Sequence, residues 1–92
     1  MLRYKFNPDE ISLTEKRNGD DFEFLINILN TEKHLDNFHH LRDHFNNNHI
    51  YTDAIFHAHS DREFRIIVRF DQYVDFIIYM FKYKLITQVE WQ

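Results

Sequence analysis

The first clear pattern along the chain is an alternation of apolar and polar residues on both sides of Asn18 and Gly19. Asn-Gly is typical of a two-residue hairpin turn, because both positions of that turn need a positive φ. A loop of these two residues places Leu13 opposite Phe24, so apolar side chains meet on one face. We therefore expect a hairpin of two strands, residues 11–17 and 20–29.

A helix is predicted next, over roughly residues 31 to 47. Its apolar residues recur at a spacing of three or four, which puts them on one helix face. These residues are Leu35, Phe38, Leu41 and Phe45. Asn30 or Thr31 can cap the start of this helix, since both side chains accept hydrogen bonds from free backbone N–H groups.

Two further segments alternate with the period of a strand, residues 50–60 and 63–70. In both segments the even positions carry the apolar side chains, so these positions form the face that is expected to be buried. A loop at residues 60–62 keeps the even faces together and pairs Ala58 with Phe64 and Ala54 with Val68. The pattern predicts a second antiparallel hairpin.

The segment from Asp71 to Leu85 is predicted to be a helix that is apolar around most of its circumference. Asp71 is a good N-cap residue. A bilayer span needs about 20 mostly apolar residues, so this helix is too short to cross a membrane. A surface helix needs an apolar stripe only somewhat wider than 100°, so we expect this one to be covered on two sides.

Two stripes are predicted on this helix. The stripe assigned to the core comprises Tyr73, Val74, Ile77, Ile78, Met80, Phe81 and Leu85. The second stripe is aromatic and comprises Phe76, Tyr79 and Tyr83. Aromatic residues are enriched at protein interfaces, so a partner could cover the second stripe. The alternative is that the N-terminal segment or the last strand of the same chain covers it.

A last strand is expected over residues 86–91, and residues 2–6 are expected to add an edge strand. The chain is therefore predicted to be a single α+β domain over residues 1–92, a two-layer sandwich. Its mostly antiparallel sheet carries two helices on one face, in the order hairpin, helix, hairpin, helix, strand. A ferredoxin-like arrangement of residues 20–91 is a variant, although it leaves no sheet edge for strand 11–17.

Composition narrows the function classes. The chain contains one glycine. Because phosphate loops and nucleophile elbows need glycines, this argues against most enzyme classes that use them. The chain contains no cysteine, so no disulfide bond can form. The net charge of −4 argues against nucleic-acid binding and favours a basic partner. The N-terminal residues carry no signal-peptide pattern, so we expect a cytoplasmic protein that is held together by packing alone.

Seven histidines raise the hypothesis of a metal site. His40 and His44 share a face of the first predicted helix, and His57 and His59 share a face of a strand, so the two pairs could supply four zinc ligands. However, the helical spacing directs His40 and His44 away from the sheet, and the odd positions of His57 and His59 place them on the sheet face opposite the helices. The two pairs are therefore expected to diverge. Solvated histidines are therefore the preferred interpretation, and His34, nearer the apolar stripe, is expected to be packed.

The sheet face opposite the helices, which we call the open sheet face, is expected to carry polar and charged side chains. They are Tyr51, Asp53, His57, His59, Glu63, Arg65 and Arg69. Such groups could transfer protons in a pocket. They are equally typical of a solvated sheet face with cross-strand ion pairs, which is the interpretation that we prefer.

The sequence thus predicts a small non-enzymatic protein-binding module without a cofactor, a metal, a nucleic-acid partner or a membrane partner. An inhibitor or immunity-type protein that neutralises a basic toxin or enzyme is one form of it, and a homodimer is another. The candidate protein-binding residues are Phe76, Tyr79, Tyr83, Tyr51, Asp53 and Glu63. The alternative is a small metal-dependent or acid–base enzyme or regulator that uses the histidine-rich helix and the open sheet face.

Overall fold

A computed structural model describes residues 2–46 and 54–92 of the chain. The strands in these ranges are β1 (Leu2–Lys5), β2 (Ile11–Asn18), β3 (Asp21–Ile28), β4 (Ala54–Ala58), β5 (Glu63–Val68) and β6 (Gln88–Trp91). The α-helices are α1 (Thr31–Asn46) and α2 (Tyr73–Lys82), and a short 3₁₀ turn at Phe70–Gln72 precedes α2. Within the described ranges no helix is both long and apolar enough to cross a membrane.

The predicted α+β sandwich with helices on one face of an antiparallel sheet is confirmed. The main sheet has four strands in the order β2-β3-β5-β4, and every neighbouring pair is antiparallel. Helix α1 packs on this sheet through Phe38, whose ring stacks on Phe64 at a centroid distance of 4.1 Å. Helix α2 packs on the same face through Phe76, whose ring centroid lies 4.9 Å from that of Phe24.

The first hairpin forms, but its register differs from the predicted one. Asn18 pairs with its partner across the turn, so the two-residue loop is Gly19 and Asp20. Gly19 has a φ of 64°, and positive φ is absent at Asp20, which is the pattern of a type II′ turn. Leu13 therefore lies opposite Ile26. The error is two residues, which leaves every side chain on its predicted face because strands have a period of two.

The second hairpin has the predicted register. Ala58 lies opposite Phe64, and Ala54 lies opposite Val68. The part of the predicted strand at residues 50–53 lies outside the described residues. The alternation predicted the parity of this pairing, since a shift of one residue would have exposed the apolar set, and the loop at residues 60–62 selected the register.

The ferredoxin-like variant is not formed. In that arrangement the last strand would lie beside β3, but β2 occupies this position and β6 leaves the sheet. Strand β6 instead pairs with β1, so that residues 2–5 do not extend the main sheet as the sequence suggested. Together the two strands form a small antiparallel sheet that packs against α2. A second layer made of α1, α2 and this small sheet covers one face of the main sheet.

The start of α1 is capped as predicted. The side-chain Oδ1 of Asn30 accepts a hydrogen bond from the backbone N–H of Lys33 at 3.2 Å. The predicted start of α2 is wrong. Asp71 lies in the 3₁₀ turn, where its carboxylate accepts a hydrogen bond from Arg69, and Gln72 occupies the N-cap of α2 without a side-chain cap bond.

Helix α2 ends earlier than predicted, at Lys82. The backbone N–H of Lys84 donates to the carbonyl of Phe81 at 3.0 Å, and the N–H of Leu85 donates to the carbonyl of Met80 at 2.9 Å. These two bonds form a Schellman motif. Lys84 occupies the position that usually holds glycine, with a φ of 66°.

Candidate functional site

Helix α1 covers most of the aromatic stripe, for which the sequence predicted either a partner or the N-terminal segment or last strand of the same chain as the cover. Phe76 is 0% exposed and contacts Phe45 of α1, with ring centroids 5.6 Å apart. It is therefore a core residue and is not available as a surface contact. Tyr79 is half-buried, since its ring lies 5.8 Å from Phe45 and 3.9 Å from His44.

Tyr83 is also half-buried, between Tyr79 at 6.3 Å and His40 at 6.4 Å. His40 and His44 are one turn apart on α1, and Tyr79 and Tyr83 are one turn apart on α2, so the two pairs match across the helix contact. This equal spacing was visible in the sequence. It is the signal that could have identified α1 as the cover of the aromatic stripe.

The apolar surface that α2 leaves exposed is a different stripe, which we call the outer stripe. It consists of Val74, Ile78 and Phe81, with exposed fractions of 39%, 45% and 47%. The sequence pattern predicted these residues in the core, and that prediction is wrong. Because α2 is apolar on nearly every side, its hydrophobic period did not determine which face is buried. Packing against α1 and the sheet determines the rotation of the helix about its axis.

Of the other three predicted contact residues, the structure describes Glu63. Tyr51 and Asp53 lie outside the described residues. Glu63 is exposed at the first position of β5, opposite Asn27 of β3. Glu63 lies on the open sheet face and not on the α2 surface, so the predicted residues that the structure describes do not form one site.

The open sheet face carries cross-strand ion pairs, as the sequence pattern predicted. The side chain of Glu23 is 4% exposed, and its carboxylate lies 2.9 Å from the Lys16 ammonium. Arg65 donates a second hydrogen bond to this carboxylate. Lys16 first, and then Arg65, holds the pKa of Glu23 below its usual value. Glu23 was not singled out from the sequence, because its burial depends on two neighbouring strands.

The histidine pairs do not converge. His40 and His44 face α2, whereas His57 is exposed on the open sheet face, opposite Arg65. Among residues 2–46 and 54–92, no group of three or more histidine, cysteine or acidic side chains is arranged to hold a metal ion.

A second carboxylate joins the first hairpin to α1. Glu10 lies immediately before β2, and its backbone carbonyl accepts bonds from the N–H groups of Leu29 and Asn30, both at 2.9 Å. Its carboxylate lies 2.8 Å from the Lys33 ammonium and 2.9 Å from Nε2 of His34. Lys33 first, and then His34, lowers the pKa of Glu10. His34 is 4% exposed, so the prediction that it is packed is confirmed.

A cavity of about 560 Å³ opens beside this junction, between the start of α1 and the end of α2. We call it the terminal cavity. Apolar and aromatic parts of its lining come from Ile11, Phe81, Leu85 and Ile86. Charged parts come from Glu10, Lys33, Lys82 and Lys84, and His34 also belongs to the wall. This site was not predicted from the sequence, because its residues come from three separate segments.

A third carboxylate joins the small sheet to the main sheet and to α2. Glu15 of β2 accepts hydrogen bonds from the hydroxyl of Tyr4 at 2.8 Å and from that of Tyr73 at 2.9 Å. Burial, followed by the contact with Glu15, raises the pKa of both tyrosine hydroxyls. This cluster satisfies a half-buried carboxylate at the edge of the core, so its evident role is structural.

Comparison with known proteins adds no relative to this description. The chain matches no protein-family model, no curated protein and no solved structure.

Proposed function

We propose that this protein is a small non-enzymatic protein-binding module that presents the outer stripe of α2 to a partner. The observation that carries the proposal is the spacing and exposure of Val74, Ile78 and Phe81. They are separated by four and three residues, and each is between 39% and 47% exposed. A helix with anchors at this spacing is a recurring mode of recognition, in which the apolar face enters a groove of the other protein.

The energetics support burial of this stripe in a complex. Each apolar side chain that leaves water contributes about 25 cal/mol per Å² of buried area. Phe81 adds an aromatic side chain, a type that is enriched where interfaces are energetically strongest. The charged residues Asp75 and Lys82 flank the stripe on the solvent side and are both exposed. An apolar centre with a charged edge is the usual anatomy of a binding surface.

The charge of the chain favours a basic partner. The net charge is −4, and opposite charge on a partner accelerates association and improves specificity. A module that neutralises a cationic toxin or enzyme, as an inhibitor or immunity-type protein does, is the specific form that we propose.

A second copy of this chain is the alternative partner. Asp75 and Lys82 are seven residues apart and therefore lie along the same edge of α2. If two α2 helices meet antiparallel about a twofold axis, this edge of one helix meets the same edge of the other. Asp75 of one copy would then face Lys82 of its partner, and the two outer stripes would cover each other.

The test compares two substitutions of matched chemistry and exposure. Ile78→Asp places a charge in the outer stripe, and Ile55→Asp places one on the open sheet face, where Ile55 is 47% exposed. Sedimentation velocity over a range of concentrations measures self-association. Affinity capture with each variant as bait, followed by mass spectrometry against the unaltered bait, measures binding to another protein.

We expect Ile78→Asp to abolish whichever association the unaltered protein shows, and Ile55→Asp to preserve it. A monomer that captures a basic protein supports the inhibitor form, and a dimer that dissociates on Ile78→Asp supports the second copy. Association that is lost only with Ile55→Asp would move the binding surface to the sheet. A protein that is monomeric and captures nothing that depends on Ile78 would contradict the proposal.

A further inference from the structure

We propose that the terminal cavity binds a small organic anion, a carboxylate attached to an apolar ring or chain. This site lies at the end of α2 and goes beyond the protein-binding surface, with which it shares Phe81 and the flanking residue Lys82.

The size and lining of the cavity suit a small ligand. Its volume is about 560 Å³, within the range of roughly 300–1,000 Å³ that is typical of ligand sites. Ile11, Leu85 and Ile86 are 1–2% exposed and belong to the lining. These buried side chains form an apolar floor, against which a ring or a chain can leave water.

The rim is positively charged. Glu10 is the acidic residue that lines the cavity, and its carboxylate already contacts Lys33 and His34. Lys82 and Lys84 also line the cavity, and neither ammonium group pairs with a carboxylate of residues 2–46 or 54–92. The Lys82 ammonium lies 5.4 Å from the ring centre of Tyr79. Two cations are thus available for an anion, although the whole chain carries a net charge of −4.

The conformation of Lys84 indicates that a lysine at this position has a role. Its φ of 66° lies in the left-handed region, where residues other than glycine are strained. Glycine is the usual residue at this position of a Schellman motif. Strain at a non-glycine residue is common where a side chain serves a ligand.

The lysines also have a structural effect, since cations near the C-terminus of a helix interact favourably with its dipole. That effect explains Lys82, which lies in the last turn of α2. It does not explain why the strained position holds a lysine, because a glycine there would end the helix at lower cost. If Lys84 contacts the ligand, replacing it should weaken anion binding. If its role is only structural, replacing it should leave the affinity unchanged.

The experiment titrates the unaltered protein with 2-naphthoate and, as a neutral control of the same shape, with 2-naphthamide. Isothermal titration calorimetry measures the affinity, and amide chemical shifts in two-dimensional NMR locate the site. We expect a Kd of about 1 mM or tighter for 2-naphthoate, the value expected of a ligand with this number of atoms. The amide should bind about fivefold more weakly, and added salt should reduce the difference.

Two variants connect the binding to Lys84. Lys84→Gly should raise the denaturant midpoint and still weaken 2-naphthoate binding about fivefold, the size expected for one exposed ion pair. Arg17→Gln also removes one positive charge, but Arg17 lies at the far end of β2 from Ile11. It should leave the affinity unchanged, and Ile78→Asp should leave it unchanged as well, which separates this site from the outer stripe.

Every other outcome overturns the inference. Equal affinity for acid and amide would show an apolar cavity without anion recognition, and unchanged affinity in Lys84→Gly would restrict Lys84 to a structural role. Shifts confined to residues outside the cavity lining, or no binding of 2-naphthoate at about 1 mM, would also contradict it.

Discussion

The imidazole ring of His44 lies against the phenol ring of Tyr79, with ring centroids 3.9 Å apart and planes inclined by 31°. This contact joins α1 to the aromatic stripe of α2, whose cover the sequence pattern did not identify. We expect a double-mutant cycle on His44→Ala and Tyr79→Ala to give a coupling energy of about 0.5–1.5 kcal/mol in chemical denaturation.

The control for this cycle is the pair His40 and Tyr83, whose ring centroids are 6.4 Å apart. Its coupling energy should be smaller, because dispersion falls steeply with distance. Equal coupling in both cycles, or none in the first, would show that the helix contact does not depend on the stack of His44 and Tyr79.

Phe76 and Ile78 should respond very differently to truncation, although they are two residues apart. Phe76 is 0% exposed, so Phe76→Ala should destabilise the protein by about 3–5 kcal/mol through lost burial and a cavity. Ile78 is 45% exposed, so Ile78→Ala should cost less than about 1 kcal/mol. Urea denaturation of both variants measures the difference, and similar losses would contradict the observed rotation of α2.

Glu23 should make the stability of the protein sensitive to acid. Its pKa is lowered in the folded state by Lys16 and Arg65, so its ion pairs stabilise the fold above the unfolded value of about 4.3. This contribution is lost as the pH falls through the lower, folded-state pKa. We therefore expect Glu23→Gln to be less stable than the unaltered protein at pH 7.

The difference between the two proteins should shrink as the pH falls from about 5 towards 2, because protonated glutamate resembles glutamine. Thermal unfolding at a series of pH values measures it. Glu63→Gln is the control, since Glu63 is exposed on β5 and makes no ion pair among the described residues. A difference that stays constant down to pH 2 would rule out the pairing of Glu23 as its cause.

Tyr4 and Tyr73 should make the protein sensitive to alkali. Burial and the Glu15 carboxylate raise the pKa of both hydroxyls in the folded state. The neutral hydroxyls therefore stabilise the fold below the unfolded value of about 10, and this stabilisation is lost as the pH rises above that value.

The double variant Tyr4→Phe with Tyr73→Phe should lose less stability than the unaltered protein between about pH 10 and 12. Denaturant unfolding across this range measures the slope. Tyr83→Phe is the control, because Tyr83 lies against His40 and Tyr79 and not against Glu15. If the double variant and the unaltered protein lose stability equally, the tyrosine cluster does not control alkaline unfolding.

The two hairpins show which features of strand pairing a hydrophobic pattern can predict. The pairing of Ala58 with Phe64 followed from two features, the alternation, which fixes the parity, and the loop at residues 60–62, which fixes the register. Alternation also predicted the faces of the first hairpin but not its register, which differs by two residues around Gly19. Registers that differ by two bury the same face, so turn geometry makes the choice.

The terminal cavity could not have been predicted. Its lining combines residues near Glu10, the start of α1 and the segment that follows α2. These segments are distant in the sequence, and each has an ordinary local pattern. Lys84 in particular gave no local sign of its conformation, since glycine and asparagine are the usual residues at such a helix end.

The sequence by itself determined the α+β class, the order of the main elements and the inward faces of the strands, because these follow from a local period of two or 3.6 residues. Only the tertiary structure decided the rotation of α2, the departure of β6 from the main sheet and the position of the cavity. A helix that is apolar on most sides has several rotations of similar burial, and contacts with α1 and the small sheet select among them. The outer stripe of Val74, Ile78 and Phe81 is exposed as a consequence of that selection.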